Sequence, residues 1–272
     1  MDTEQRSDRA PALGWYLADP VRAVTEFGLH LASRPLRAHL PTGDGHPVLV
    51  IPGLLAADSS TRPLRGSLRR LGYHVHGWRL GRNIGPTEHI VDGMRDRLFE
   101  LADRHGRPVT VIGWSLGGIF ARELARRTPD AVRQVITLGS PIRLECESQT
   151  RAFSAFEQYS HLHVEKWELP LEHGCEPLAV PATSVYSRTD GIVAWEACLD
   201  EVGPRTENIA VVGSHIGLGH NPGVLWAVAD RLAQPEGTWR PFRSTPLWRR
   251  LFPNPVDLLP APLRKPAGGV AA

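Results

Sequence analysis

From about residue 47 to residue 233, short apolar runs alternate with amphipathic stretches. Pro47-Val48-Leu49-Val50-Ile51 reads as a buried strand. Tyr73-His74-Val75-His76-Gly77-Trp78 alternates apolar and polar and predicts a second strand, nearer an edge. Residues 108–113, 132–138, 183–187 and 208–213 predict four more. Helical spacing covers 59–71, 88–105, 116–127 and 222–233, the last with Asn221 as its cap and Pro222 at its first position. Upstream, Val21, Val24, Phe27 and Leu31 recur at helical spacing within 20–32. That stripe predicts one amphipathic helix laid with its apolar side on the domain. Repeated strand–helix alternation with β-branched strands predicts the α/β class, a mostly parallel sheet of about six strands with helices on both faces. In such sheets reactive groups collect beyond the carboxyl ends of the strands.

The pattern divides the chain into a helical lead-in at 1–44, an α/β domain at 45–238 and a Pro-rich tail at 239–272 expected to run extended. Between 141 and 181 the alternation breaks down, and Phe153, Phe156, Tyr159 and Trp167 appear among charged residues. This stretch is expected to form a small cap or lid over a substrate pocket, against the plainer reading of a helical connection. The chain has 272 residues, of which 42% are hydrophobic, enough for one large core. A net charge of +2 with 22% charged residues gives no electrostatic footprint for nucleic acid. The polar start, Met1-Asp2-Thr3-Glu4-Gln5-Arg6, lacks signal-peptide character, and no apolar run has transmembrane length. Cys146, Cys175 and Cys198 form neither a disulfide framework nor a metal-ligand spacing, so reduced thiols in a cytoplasmic protein are expected, with no cofactor or metal.

The chemistry-bearing residues fall where this layout puts strand ends. Gly113-Trp114-Ser115-Leu116-Gly117 matches the G-x-S-x-G nucleophile elbow, and it follows a β-branched strand and opens an apolar helix. A turn that sharp strains the serine and demands small neighbours at Gly113 and Gly117. A seryl nucleophile needs a base, and the base an orienting acid. Asp190 stands just past the fifth strand; Asp200 and Glu201 compete but fall in a predicted helix. Past the last strand, Ser214-His215-Ile216-Gly217-Leu218-Gly219-His220 supplies two candidate bases. His215 follows the strand directly, whereas His220 adjoins the helix cap. An oxyanion needs two preorganised N–H donors. Leu116 supplies one and Leu54 the second, after Gly53 in the loop Ile51-Pro52-Gly53-Leu54. Trp114, Phe153 and Phe156 are candidates for lining the substrate pocket, with 83–87 at its rim.

From about 47 to 234 the chain resembles bacterial lipases and carboxylesterases of the α/β-hydrolase superfamily. The resemblance rests on Ile51-Pro52-Gly53-Leu54, on 111–118 and on Ser214-His215-Ile216-Gly217-Leu218, which is similar to a Gly-His-Ile-Gly-Leu stretch around the family's catalytic histidine. It implies Ser115 as nucleophile, Asp190 as acid and His215 rather than His220 as base. Pro52 departs from the family, which usually has histidine there. The activity implied is hydrolysis of a small-molecule acyl ester. A thioesterase or acyltransferase would use the same triad, and a non-catalytic binding protein would keep the fold without the chemistry.

Overall fold

The computed structural model describes residues 10–164, 177–243 and 252. Six strands, β1 Pro47–Ile51, β2 His74–Gly77, β3 Val109–Trp114, β4 Val132–Leu138, β5 Ala182–Ser187 and β6 Thr206–Val211, form one sheet. It is parallel throughout, in the order β2-β1-β3-β4-β5-β6, as the alternation predicts, and β2 is indeed an edge. The helices are α1 Leu13–Ala32, α2 Arg62–Arg70, α3 Glu88–His105, α4 Leu116–Arg127, α5 Phe153–Glu157 and α6 Pro222–Leu232.

Period-two alternation sends side chains to both faces of every strand, so both need cover. Val48 and Val50 of β1 pack with Leu64 and Leu68 of α2 and Val224 and Val228 of α6. Leu49 and Ile51 join Ile90 and Met94 of α3 and Phe120 of α4 on the opposite face. The N-caps follow local chemistry: Thr87 accepts from the Ile90 N–H at 3.3 Å, and Asn221 from those of Gly223 and Val224. From β1 the sheet grows toward β2 on one side and β3 on the other. This switch point opens a crevice at the carboxyl ends of β1 and β3.

The lead-in helix corrects the sequence reading twice. It starts earlier, at Leu13, and runs through Pro20. It also turns over: Val21 and Val24 are 71% and 73% exposed, and Phe27 and Leu31 face solvent too. The buried face is Asp19, Ala23, Glu26 and His30. The reason lies in what the helix covers, which is loop backbone with amide groups that need acceptors. An apolar stripe would leave those amides unpaired.

Among the described residues, no helix is long and apolar enough to cross a membrane. Cys146 and Cys198 are free thiols, while Cys175 lies outside the described residues. Of the tail, Phe252 is buried and packs edge-on against Phe242 at 4.9 Å between ring centres; positions 253–272 lie outside the described residues, as does Trp167.

Asp200, a competitor for the acid role in sequence, follows a 3-10 turn at Trp195–Cys198 rather than sitting in a helix. It pairs with Arg122 of α4, and both side chains are almost fully buried. Removing one partner of such a pair leaves the other charge uncompensated. Asp200→Ala is therefore expected to destabilise the protein by about 3–5 kcal/mol in urea unfolding; a loss below about 1 kcal/mol would mean the pair contributes little.

Candidate active site

Ser115, Asp190 and His215 each follow the carboxyl end of a strand, β3, β5 and β6. Ser115 joins β3 to α4 with φ 53° and ψ −124°, a strained backbone that the flanking glycines permit. A Cβ on Gly113 would run into the Gly117 backbone, and one on Gly117 into the Ile51 carbonyl, so neither position admits a side chain. The Ser115 N–H donates to the Leu138 carbonyl at the end of β4, 2.8 Å away, which locks the elbow to the neighbouring strand. Gly53, past β1, lies directly against the Ser115 side chain.

Asp190 and His215 meet. His215 Nδ1 donates to Asp190 Oδ2 at 2.6 Å, and both residues are buried. Asp190 Oδ1 accepts the N–H groups of Ile192 and Val193, each at 2.8 Å, so the carboxylate cannot swing away. A carboxylate only accepts, so the proton rests on Nδ1 and the other ring nitrogen, Nε2, is left basic. The pair abuts Gly139, next to Leu138 that holds the Ser115 backbone. Burial by itself would lower the His215 pKa. The charge of Asp190, its hydrogen bond and the charge of Asp19 together outweigh that and raise it above the ordinary 6.5. His220 instead bonds the Ala23 carbonyl of α1 through Nε2 at 2.8 Å.

A cavity of about 350 Å³ opens beside Ser115, lined by Leu54, Leu116 and by Phe153 and Phe156 of α5. None of its lining residues is Asp, Glu, Lys or Arg. Trp114 does not line it. Its indole turns to the other side, packs on Gly219 and donates to the His215 carbonyl at 3.2 Å, so it supports the histidine loop. The segment after α5 is tied to the loop after β2: His163 Nε2 donates to the Ile84 carbonyl at 2.8 Å and the Val164 N–H to that of Pro86 at 3.0 Å. Pro86 reaches the cavity wall, as expected of the 83–87 rim.

Sequence reasoning gave Asn83 only a rim position, but it is completely buried and organises the loop after β1. Its side-chain amide donates to the Pro52 carbonyl at 2.8 Å, its N–H to Ala56, and its carbonyl accepts from Leu55. Leu55 holds φ 59°, a left-handed value that this clamp maintains. Asp19 and Glu26 of α1 were missed altogether. Asp19 accepts from Gly191, His215 and Ile216, and Glu26 from Ser214 and Asn221. The signal was their spacing with Ala23 and His30, a second stripe opposite the apolar one.

The same architecture recurs in solved structures. Aspergillus fumigatus lipase B superposes with a TM-score of 0.55 at 18% identity, over 73% of this chain and 57% of that one. A metagenome-derived lipolytic enzyme gives 0.55 at 16% identity, over 71% and 93%. The thioesterase domain of a curacin biosynthetic pathway gives 0.51 at 13%, over 71% and 93%. The chain has the α/β-hydrolase fold.

In sequence, the chain is similar to the polyketide synthase ThaQ of Burkholderia thailandensis, 32% identical over 133 residues, and to the pimeloyl-acyl-carrier-protein methyl ester esterase of Aromatoleum aromaticum, 31% identical over 88. The matches cover 46% and 24% of this chain, but only 6% and 35% of those proteins. No protein-family model matches the chain. Along the α/β-hydrolase sheet, Ser115 follows β3, Asp190 β5 and His215 β6.

The clamp on the loop after β1 yields a prediction. The sequence reading makes Leu54 an oxyanion donor, and on that expectation Asn83→Ala, which frees the loop carrying Leu54, is expected to lower ester turnover at least about tenfold. Steady-state kinetics on a p-nitrophenyl ester check it, and unchanged kcat would show that Asn83 has no such role.

Proposed function

We propose that the protein is a serine hydrolase that cleaves carboxylic esters through an acyl-enzyme on Ser115. The observation that carries this reading is the buried Asp190–His215 hydrogen bond, across β4 from a strained serine that opens into a largely apolar cavity. Ser115 Oγ attacks the ester carbonyl while His215 Nε2 takes its proton, and Asp190 holds the imidazole in that tautomer. The N–H groups of Leu54 and Leu116 bind the tetrahedral oxyanion, supplying about 3–4 kcal/mol of barrier reduction per donor. As the intermediate collapses, His215 returns the proton to the leaving alcohol. Water then attacks the acyl-enzyme by the same route and frees the acid and Ser115. An apolar wall containing Phe153 and Phe156 suits an acyl chain of medium or greater length.

A second reading, cleavage or transfer from an acyl thioester, draws on the names of the two sequence relatives, a polyketide synthase and an esterase of an acyl-carrier-protein ester. The same five groups serve it, with a thiol as leaving group. Matched oxygen esters and thioesters of one acyl chain decide between the two by their kcat/KM ratio. An added alcohol or thiol that captures the acyl group faster than water marks a transferase.

Ser115→Ala is expected to abolish p-nitrophenyl ester turnover and fluorophosphonate labelling; persistence of either overturns the assignment. A base must be unprotonated to act, and the His215 pKa is raised. Hence kcat/KM is expected to rise with pH through a midpoint above 6.5, and a midpoint below 6 would contradict the pairing.

A further inference from the structure

The helix upstream of the sheet, α1, packs its carboxylates onto the two loops that carry the proposed acid and base. Asp19 is 1% exposed. Its Oδ2 accepts the N–H of Gly191 at 3.0 Å and of His215 at 2.9 Å, and its Oδ1 accepts the N–H of Ile216 at 2.9 Å. Gly191 directly follows Asp190, so one carboxylate bonds the backbones of both loops. Close approach is built in: a Cβ on Gly191 would strike the Trp15 carbonyl of α1. Neighbouring side chains extend the brace. Arg22 donates to the Thr189 carbonyl at 2.6 Å and to its hydroxyl at 2.7 Å, and Glu26 accepts the Ser214 N–H at 2.7 Å and the Asn221 amide at 2.9 Å.

We propose that Asp19 is a positioning residue for this site: it fixes the Asp190 loop against the His215 loop and places a second negative charge beside the imidazole. The proposal rests on the triad reading for its kinetic consequences, but not for its effect on His215 itself. The segments 188–191 and 212–215, which carry Asp190 and His215, contain no helix or strand that would align them. The Asp190–His215 bond needs its partners aligned within a few tenths of an ångström, and misplacement of about 1 Å costs on the order of 100-fold in rate. Three charge-assisted hydrogen bonds to one carboxylate supply that alignment. They also explain why α1 buries Asp19 and leaves Val21 and Val24 in solvent.

The electrostatic part follows from the charges that face His215. Asp190 comes from the loop after β5; Asp19 and Glu26 come from α1, with Arg22 beside them on Thr189; His220 ends the 3-10 turn that His215 begins; Cys198 lies behind Asp190. Of these, Asp190 and Asp19 act to hold the proton on His215. Neutralising Asp19 removes one of the two.

The test compares wild type with Asp19→Asn and Asp19→Ala. The His215 imidazole is titrated by NMR, and the rate of fluorophosphonate labelling at Ser115 is measured across pH. Asp19→Asn, nearly isosteric, is expected to fold, to lower the His215 midpoint by about half a unit or more, and to move the acid limb of labelling by the same amount. Asp19→Ala is expected to slow labelling about 10- to 100-fold at the pH optimum. A purely structural brace would slow labelling without moving either midpoint. A His215 midpoint in Asp19→Asn that coincides with wild type therefore overturns the proposal, as does wild-type labelling speed in a folded Asp19→Ala. If the wild type takes no label at Ser115, the hydrolase reading fails instead, and the NMR midpoints still decide the role of Asp19.

Discussion

The buried hydrogen bond between Asp190 and His215 sets the demands that the carboxyl edge of the sheet must meet. A carboxylate and an imidazole out of water are tolerated only when every polar group around them is paired. The chain meets that demand with backbone. Ile192 and Val193 donate to the free oxygen of Asp190, while the N–H groups on the histidine loop are taken up by Asp19 and Glu26. The lead-in helix is thus folded into the centre of the polar network, although it precedes the first strand by more than a dozen residues.

The serine side of the edge obeys a different constraint, which is space. The elbow at Ser115 reverses direction within one residue, and backbone from β1, β3 and α4 comes together around Gly53, Gly113 and Gly117. Asn83 then holds the loop after β1 in place from the far side of the switch point. Beside the close backbone packing at Ser115 lies a cavity lined mostly by apolar side chains. Part of its wall comes from α5, which contributes Phe153 and Phe156, and the segment after α5 is latched to the β2 loop by His163.

Much of this was legible in the sequence, and the exceptions have a common cause. Strands such as Val109–Trp114 announce themselves because two buried faces need unbroken apolar residues, and α6 because Asn221 and Pro222 form a local start signal. The places of Ser115, Asp190 and His215 beyond strand ends were readable from short motifs and their order. Periodicity, however, reports that a helix has two unlike faces, not which one turns inward. For α1 the apolar stripe faces solvent, since the surface it covers is amide-rich loop rather than sheet. Trp114 misled similarly: its place in the elbow implied the pocket, but consecutive side chains around a strand end point to opposite sides, and the indole went to the histidine loop. Asn83 and Asp19 act on backbone far away in sequence, and no local pattern marks a long-range acceptor.

A direct view of the reaction itself bears most on the central claim. The protein mixed with a slowly turned-over acyl ester, quenched in acid within its first turnover and digested for mass spectrometry, is expected to carry one acyl group, located on the peptide and side chain of Ser115. Ester consumed with no acyl group on the protein, or with the acyl group on another residue, would contradict the account.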